Sequence, residues 1–432
     1  MIQELQARER AGAPIRVGVV GAGVYGVTLV AQLQQVPGMT ASVVCDAEID
    51  RAVQAYRQAG VDDPLVLPQG TPGLPAVKPA ERRPVAVACY RRVLEGPVDV
   101  VVDCTGDPSV GCEIAHYSLQ AGKHVVMVNV EADVTAGLEL AAQASRAGVV
   151  YTLADGDQPS LAVGLAEWAG SLGFQVATVG KWTDAYASET DGLRRTGKKS
   201  PTRSDVTFLD GTKAQVEMAA AANALGMSVD VPGMHGLSVP IDEIPARLRP
   251  RDAGGDLDAG GVVEYVNCVG LPPGEASRYA GGVFAVLRSG AAPAMAAMAS
   301  KGVIVTADRT HALVYRPYHL LGAETPWSVA MAAVRGEPTA APRSERTVDV
   351  VAVAKRGLAA GETLRGMGWD QVRGVAVAGR EAAEADALPV GLAGGCRLQR
   401  DVAGGEWVAL ADVEPPAESL AWRLRYSGMK NS

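Results

Sequence analysis

Hydrophobic runs of two lengths alternate through the first third of the chain. Short β-branched runs at 15–20, 42–45, 98–104, 124–128 and 149–153 each have the length of a buried strand. Between them lie longer stretches with helical spacing. One covers 110–121 and is closed by Gly122; another is entered at Thr135 and ends near Gly148. This alternation predicts an α/β fold, with a parallel sheet covered by helices on both faces. The proline- and glycine-rich stretch 60–84 reads as a surface excursion.

The pattern changes after about Ala154. Apolar runs predict strands at 174–179, 205–208, 262–266, 282–287 and 302–306. Helices are predicted over the alanine-rich stretch 211–225 and near 328–334. This reads as a second α/β domain whose sheet also offers an oligomer contact, giving a homodimer or homotetramer. Residues 339–346 read as a linker. Beyond it a weak repeat appears, with 354–364 echoed at 398–408. The expected division is an arm at 1–14, a first domain at 15–153, a second at 154–338 and a β-rich module at 347–432.

Composition narrows the classes. With 48% hydrophobic and 20% charged residues and a net charge of −8, the chain is not built as a general nucleic-acid or anionic-membrane binder. No apolar run is long enough to span a bilayer. Residues 1–14 lack a hydrophobic signal core, so a cytoplasmic location is expected. The six cysteines form no Cys-x-x-Cys pair and the five histidines show no ligand spacing. A divalent metal is therefore not indicated.

The densest chemical signal follows the first strand. Gly21-Ala22-Gly23-Val24-Tyr25-Gly26 stands between a β-branched run and an apolar helix. In this context Gly21 allows a tight turn, Gly23 a close approach to pyrophosphate, and Gly26 close packing of the helix. Phosphates would then meet the helix N-terminus. Asp46 ends the second strand, where an acid hydrogen-bonds an adenosine ribose. It favours NAD slightly over NADP, with capping of the next helix as its alternative. Thr105 and Gly106, Asn129, and Gln158 with Pro159 follow later strands and are further candidate cofactor contacts.

Candidate catalytic residues lie at strand ends and on one helix. Glu131 can take a proton. Lys181, just past the run 174–179, can polarise a carbonyl. Asp210 is placed to cap a helix on which Lys213 and Glu217 stand four residues apart, on one face. That helix is mostly alanine, which points to burial rather than a solvated pair. Tyr318, His319 and Glu324 offer a compact set of proton-relay or hydroxyl-binding groups. The basic stretch 194–203, ending in Arg203, suggests a cationic cover for an anionic substrate, or a plain solvated loop.

These residues carry a family resemblance. The stretch 126–134 (Val-Met-Val-Asn-Val-Glu-Ala-Asp-Val), Gly156-Asp157-Gln158-Pro159, 208–213 with Glu217, and Arg316-Pro317-Tyr318-His319-Leu320 resemble homoserine-dehydrogenase-like proteins. Within that group they resemble the 1-deoxyxylulose 5-phosphate reductoisomerase-like branch. The resemblance implies an N-terminal Rossmann domain, a central catalytic and dimerisation domain, and a C-terminal β-rich SAF-like domain. It implies NAD(P)-dependent hydride transfer on a small polar, sugar-like substrate; Asp210, Arg203, Tyr318 and Glu324 are the candidate substrate contacts among the residues above. Standard reductoisomerases add a divalent metal. The chain departs from homoserine dehydrogenases after Asn129, where Val130 and Glu131 stand in place of the usual lysine. A redox-neutral epimerase holding NAD and a non-catalytic NAD sensor are the alternatives.

Overall fold

The structure is a computed structural model that describes residues 1–67, 83–184, 192–193, 196–197 and 200–426. The chain packs as two units. One comprises Met1–Asp157, Leu320–Ala341 and the stretch from Arg423. The other comprises Gln158–His319 and Pro342–Trp422.

The first unit is built on strands β1 (Ile15–Val20), β2 (Met39–Cys45), β3 (Leu65–Leu67), β4 (Val85–Val87), β5 (Val100–Asp103), β6 (His124–Met127) and β7 (Tyr151–Leu153). They form a parallel sheet in the order β3-β4-β2-β1-β5-β6-β7. Val17, Val19, Val100, Val101 and Val102 are wholly buried, as expected for parallel strands covered on both faces. The strand order reverses between β1 and β5. The crevice beyond their C-terminal ends is where such sheets hold ligands.

Two segments from outside 1–157 complete this unit. Val329 and Ala330 join the core cluster that contains Leu29 and Val30. Arg425 donates to the carbonyls of Val134 and Thr135. The stretch 1–14, read as an arm, forms the helix Ile2–Arg10 and buries Leu5 in the same core.

The second unit holds β8 (Gln175–Thr183), β9 (Val262–Asn267), β10 (Val283–Arg288), β11 (Ile304–Val305) and β12 (His311–Arg316). Their order is β11-β12-β10-β8-β9, with β9 parallel to β8 and the other pairs antiparallel. The helix Thr212–Leu225 lies against this sheet and against a C-terminal module. That module contains the antiparallel pairs β13 (Val348–Ala354) with β14 (Val372–Ala378), and β15 (Arg397–Leu398) with β16 (Val413–Glu414). The sequence repeat becomes a structural one: Leu358 and Val402, equivalent positions of the two copies, exchange backbone hydrogen bonds. Their equivalent ion pairs are Arg356–Glu362 and Arg400–Glu406.

Several local expectations are corrected. Residues 205–208 form part of the helix Arg203–Leu209, not a strand. Their β-branched composition is outweighed by a reciprocal cap between Thr202 and Asp205. The helix expected from Thr135 begins at Val130, capped by Asn129. Thr135 instead bonds the Glu131 carbonyl inside it. Strand β12 was not anticipated. The strand expected to end at Val179 runs on to Thr183, so Lys181 lies within it. Four residues of the basic stretch (Arg194, Arg195, Lys198 and Lys199) and most of the excursion at 60–84 fall outside the described residues.

Candidate functional site

Two groups of the candidate residues assemble, one in each unit. In the first unit, β1 passes through Gly21 into the helix Val24–Leu33. Gly21 has φ 96°, and a Cβ there would lie 2.8 Å from the Cys104 carbonyl oxygen. A Cβ on Gly26 would lie 1.9 Å from the Gly21 carbonyl oxygen. The fold itself therefore requires both glycines. Gly23 differs: its φ is −74°, and a Cβ there would meet no protein atom within 4 Å. Neither backbone conformation nor packing within the protein demands glycine at 23, where the residue caps the helix. Val24, beside it, is 78% exposed. The N–H groups of this first turn have no intrahelical partner, so the turn fits the pyrophosphate of a dinucleotide.

Asp46 sits half-buried against this turn. Its carboxylate accepts the N–H groups of Ala22 at 2.8 Å and Glu48 at 2.9 Å. Both bonds hold loops, and the next helix starts at Ile49 with Glu48 as its cap residue. Thr105 and Gly106 follow β5. Asn129 is 1% exposed, and its amide donates to Asp103, Thr105 and the Asp107 carbonyl while its oxygen accepts from Ala132. It shapes the Thr105 turn from behind. Glu131 is buried in the first turn of the following helix. The Tyr25 hydroxyl contacts Thr325 at 2.7 Å and the Asp155 carbonyl at 3.2 Å. Tyr25 thus ties the glycine turn to the segment that contains Glu324. Sequence reasoning passed over Asp103. It is wholly buried, and burial pushes its carboxyl up to about 6 despite bonds from Thr105 and Asn129. An acid closing an otherwise apolar run was the available signal.

In the second unit, Lys181, Lys213, Glu217 and His319 come together. Lys181 lies on an inner strand, opposite Val283 of β10 and Tyr265 of β9. Its neighbour Trp182 enters an aromatic cluster with Tyr279, Phe284 and Tyr315. Lys181 forms an ion pair with Glu217, both side chains almost wholly buried. Lys213 lies 3.6 Å from the other Glu217 oxygen and is 16% exposed. Burial pushes the Glu217 carboxyl up, but Lys181, Lys213 and His319 together outweigh it and hold the carboxyl below its ordinary range.

His319 Nδ1 lies 2.5 Å from the Gly281 carbonyl. An acceptor there requires a proton on Nδ1, which leaves Nε2 for a ligand. The adjacent Gly282 carbonyl accepts from Gln158 at 2.9 Å, so this amide braces the start of β10. Pro159 follows in the buried first turn of the same helix.

The remaining candidates lie elsewhere in the second unit. The helix cap falls on Gly211, one residue later than expected, and Asp210 accepts the Thr212 N–H and pairs with Lys355 at 3.2 Å. Arg203 stacks 6.0 Å from the Trp369 ring centroid. Tyr318 is 52% exposed beneath the Arg316 guanidinium. Lys355 was not a candidate, because nothing in its local sequence sets it apart. Among the described residues no three histidine, cysteine or carboxylate side chains gather as metal ligands. No described helix is long and apolar enough to cross a membrane.

A glycine turn at the switch point of a parallel sheet marks the first unit as a dinucleotide-binding fold. Comparison with known families agrees. Residues 21–153 match the NAD binding domain of homoserine dehydrogenase, and residues 156–325 match the catalytic domain of oxidoreductase DRL. The chain is an NAD(P)-dependent oxidoreductase. No curated protein matches it. Among solved structures it is similar to a probable dehydrogenase from Thermotoga maritima, with 17% identity and a TM-score of 0.39, over 75% of this chain and 90% of that one. It is also similar to a protein of Sinorhizobium meliloti 1021 assigned as a myo-inositol dehydrogenase, with 14% identity and a TM-score of 0.40, over the same shares of the two chains.

Proposed function

We propose that the protein reduces the carbonyl of a small polar, sugar-like substrate, or oxidises the corresponding alcohol, with Lys213 as the group that meets the reacting oxygen. The observation that carries this reading is the pairing of two lysines with one carboxylate. Glu217 lies between the two, so two ammonium groups flank one buried carboxylate. Lys181 is 1% exposed and serves as the buried partner of Glu217, whereas Lys213 is the lysine that reaches solvent.

The bound nicotinamide supplies or accepts the hydride. As hydride reaches the carbonyl carbon, negative charge grows on the oxygen. The Lys213 ammonium, held by Glu217 in a poorly solvated setting, stabilises that charge and gives the oxygen its proton. His319, fixed through Nδ1, presents Nε2 to a neighbouring hydroxyl. On the cofactor side, the Gly23 turn would hold the pyrophosphate, with Thr105 and Gly106 beside it. Asp46 would take the adenosine ribose, and its negative charge disfavours a 2′-phosphate, so NAD is the favoured form. The resemblance of the chain to reductoisomerase-like proteins makes 1-deoxyxylulose 5-phosphate the first substrate to try. In that variant a skeletal rearrangement precedes the hydride step, and the same ammonium serves both. The C-terminal module, with its paired repeats, is read as SAF-like.

The test is loss of reduced-nicotinamide absorbance with this substrate and with other small phosphorylated or polyhydroxy carbonyls, NADH and NADPH in parallel. Substrate-dependent loss that disappears in Lys213→Ala is the expected result. Turnover undiminished in Lys213→Ala would overturn the assignment of that residue. Nucleotide binding with no turnover of any carbonyl would favour the epimerase or sensor reading.

A further inference from the structure

The helix that carries Lys213 and Glu217 turns three other polar side chains toward the C-terminal module. Thr212, Gln215 and Asn223 are all buried. The Thr212 hydroxyl accepts the Gly374 N–H at 2.9 Å, and the Gln215 side-chain oxygen accepts the Ala376 N–H at 3.0 Å. Further along, Asn223 donates to the Val348 carbonyl at 3.0 Å and accepts the N–H groups of Thr347 at 2.9 Å and Val348 at 3.1 Å. Gly374 and Ala376 alternate along β14, whose partner strand is β13. An edge strand with unpaired N–H groups is costly to bury. Here the side chains of the Lys213 helix satisfy that edge, in register with its period of two.

A second link reaches the start of the helix. Lys355, just past β13, donates to Asp210 at 3.2 Å and to the Trp369 carbonyl at 3.0 Å. The other Asp210 oxygen accepts the Thr212 N–H at 3.0 Å. Between Asp210 and Thr212 lies Gly211, at φ 81°. The chain of contacts therefore runs from Lys355 through Asp210 to the first turn of the helix, where Lys213 begins its reach to Glu217.

We infer that the C-terminal module is a working part of the lysine cluster and that Lys355 is a positioning residue for Lys213. The inference rests on the proposed role of Lys213 and adds a function for a module that apolar packing alone would not require to be wired to the helix. Without Lys355, the buried Asp210 carboxylate loses its counter-charge and its hold on the turn. The Lys213 ammonium then leaves Glu217 for solvent.

The experiment compares the full-length wild-type protein with Lys355→Met, Lys355→Arg and Thr212→Val. The first readout needs no substrate: the rate of Lys213 acetylation by acetic anhydride, followed by mass spectrometry. We expect at least a fivefold faster rate in Lys355→Met and a rate near wild type in Lys355→Arg. The second readout is steady-state kinetics. In Lys355→Met, kcat should fall at least tenfold while KM for the nicotinamide cofactor stays within twofold, and Lys355→Arg should recover most of the loss. Unchanged Lys213 labelling, or faster labelling with kcat unaltered, overturns the inference. If Lys355→Met does not fold, Thr212→Val carries the same two expectations and the same refutation. Lys213→Ala, measured alongside, separates the failures: an active Lys213→Ala refutes the proposed function, whereas an inactive one beside a fully active Lys355→Met refutes only the positioning role.

Discussion

Replacing Glu217 by Gln is expected to destabilise the second unit by an amount the structure lets one work out. The substitution keeps the shape and removes the charge between Lys181 and Lys213. Lys181, 1% exposed, is then a buried ammonium with no counter-charge. Breaking a buried ion pair from one side costs about 3–5 kcal/mol. The alternative is for Lys181 to lose its proton. At pH 7, neutralising a lysine whose ordinary pKa is about 10.4 costs about 1.4 kcal/mol per unit, or about 4.6 kcal/mol. Both routes give about 4 kcal/mol. The second route also sets a sign: with Lys181 neutral in the folded variant, the unfolded one binds one proton more, so stability rises with pH up to about pH 10. The gap to wild type should narrow by about 3 kcal/mol between pH 7 and pH 9. Urea unfolding followed by tryptophan fluorescence, with Trp182 adjacent to Lys181, reads it. A gap below about 1 kcal/mol at pH 7 would refute the picture of a buried counter-ion, and a large gap that is the same at both pH values would show that Lys181 keeps its proton. Replacing both partners, Lys181→Met with Glu217→Leu, should recover most of the loss in stability.

Other outcomes follow from the same structure. Gly23→Ala should fold with wild-type stability yet bind nicotinamide nucleotides at least tenfold more weakly by fluorescence titration, whereas Gly26→Ala, which would press a Cβ onto the Gly21 carbonyl, should lower the melting temperature as well. Asp46→Asn should shift the ratio of kcat/KM for the two reduced nucleotides at least tenfold toward NADPH. Asp103, whose carboxyl is raised to about 6, contributes stability that is complete below about pH 4 and lost as pH rises through 6. The stability difference between Asp103→Asn and wild type, from denaturant titrations at pH 4 and pH 7, should therefore change by about 3 kcal/mol in favour of the variant at pH 7. Lys213→Ala should lower kcat by about 10²–10³ with the melting temperature little changed.

Much of this was legible in the chain because local pattern and tertiary demand agree. The valine runs of β1, β5 and β6 could only be buried strands, and the glycine turn announces its own geometry. Lys213 and Glu217 were readable as a pair because four residues is one helical turn and alanine on every side implies burial. The errors share a cause. At 205–208 a β-branched run was outvoted by the Thr202–Asp205 cap, and at Asn129 a capping side chain sat six residues before the threonine expected to fill that role. The packed units are not continuous in the chain, since Leu320–Ala341 joins the first unit. A segment of 22 residues carries no local mark of the core it will join. Lys355 was invisible for the same reason: its partner Asp210 lies 145 residues away.

Asp103 and Glu217 together show where positive charge has been stored. Both carboxyls are buried to a similar degree, at 0% and 2% exposure, so desolvation alone would raise both. Asp103 rises, because its partners are neutral donors, the Thr105 N–H and the Asn129 amide, with Glu131 adding repulsion. Glu217 falls, because two ammonium groups flank it. In the second unit two ammonium groups flank one carboxylate. An oxygen that becomes negative only as hydride arrives gains most from a charge fixed in place beforehand, where little water is present to screen it. On the proposed reading it is Lys213, held beside Glu217, that supplies this charge.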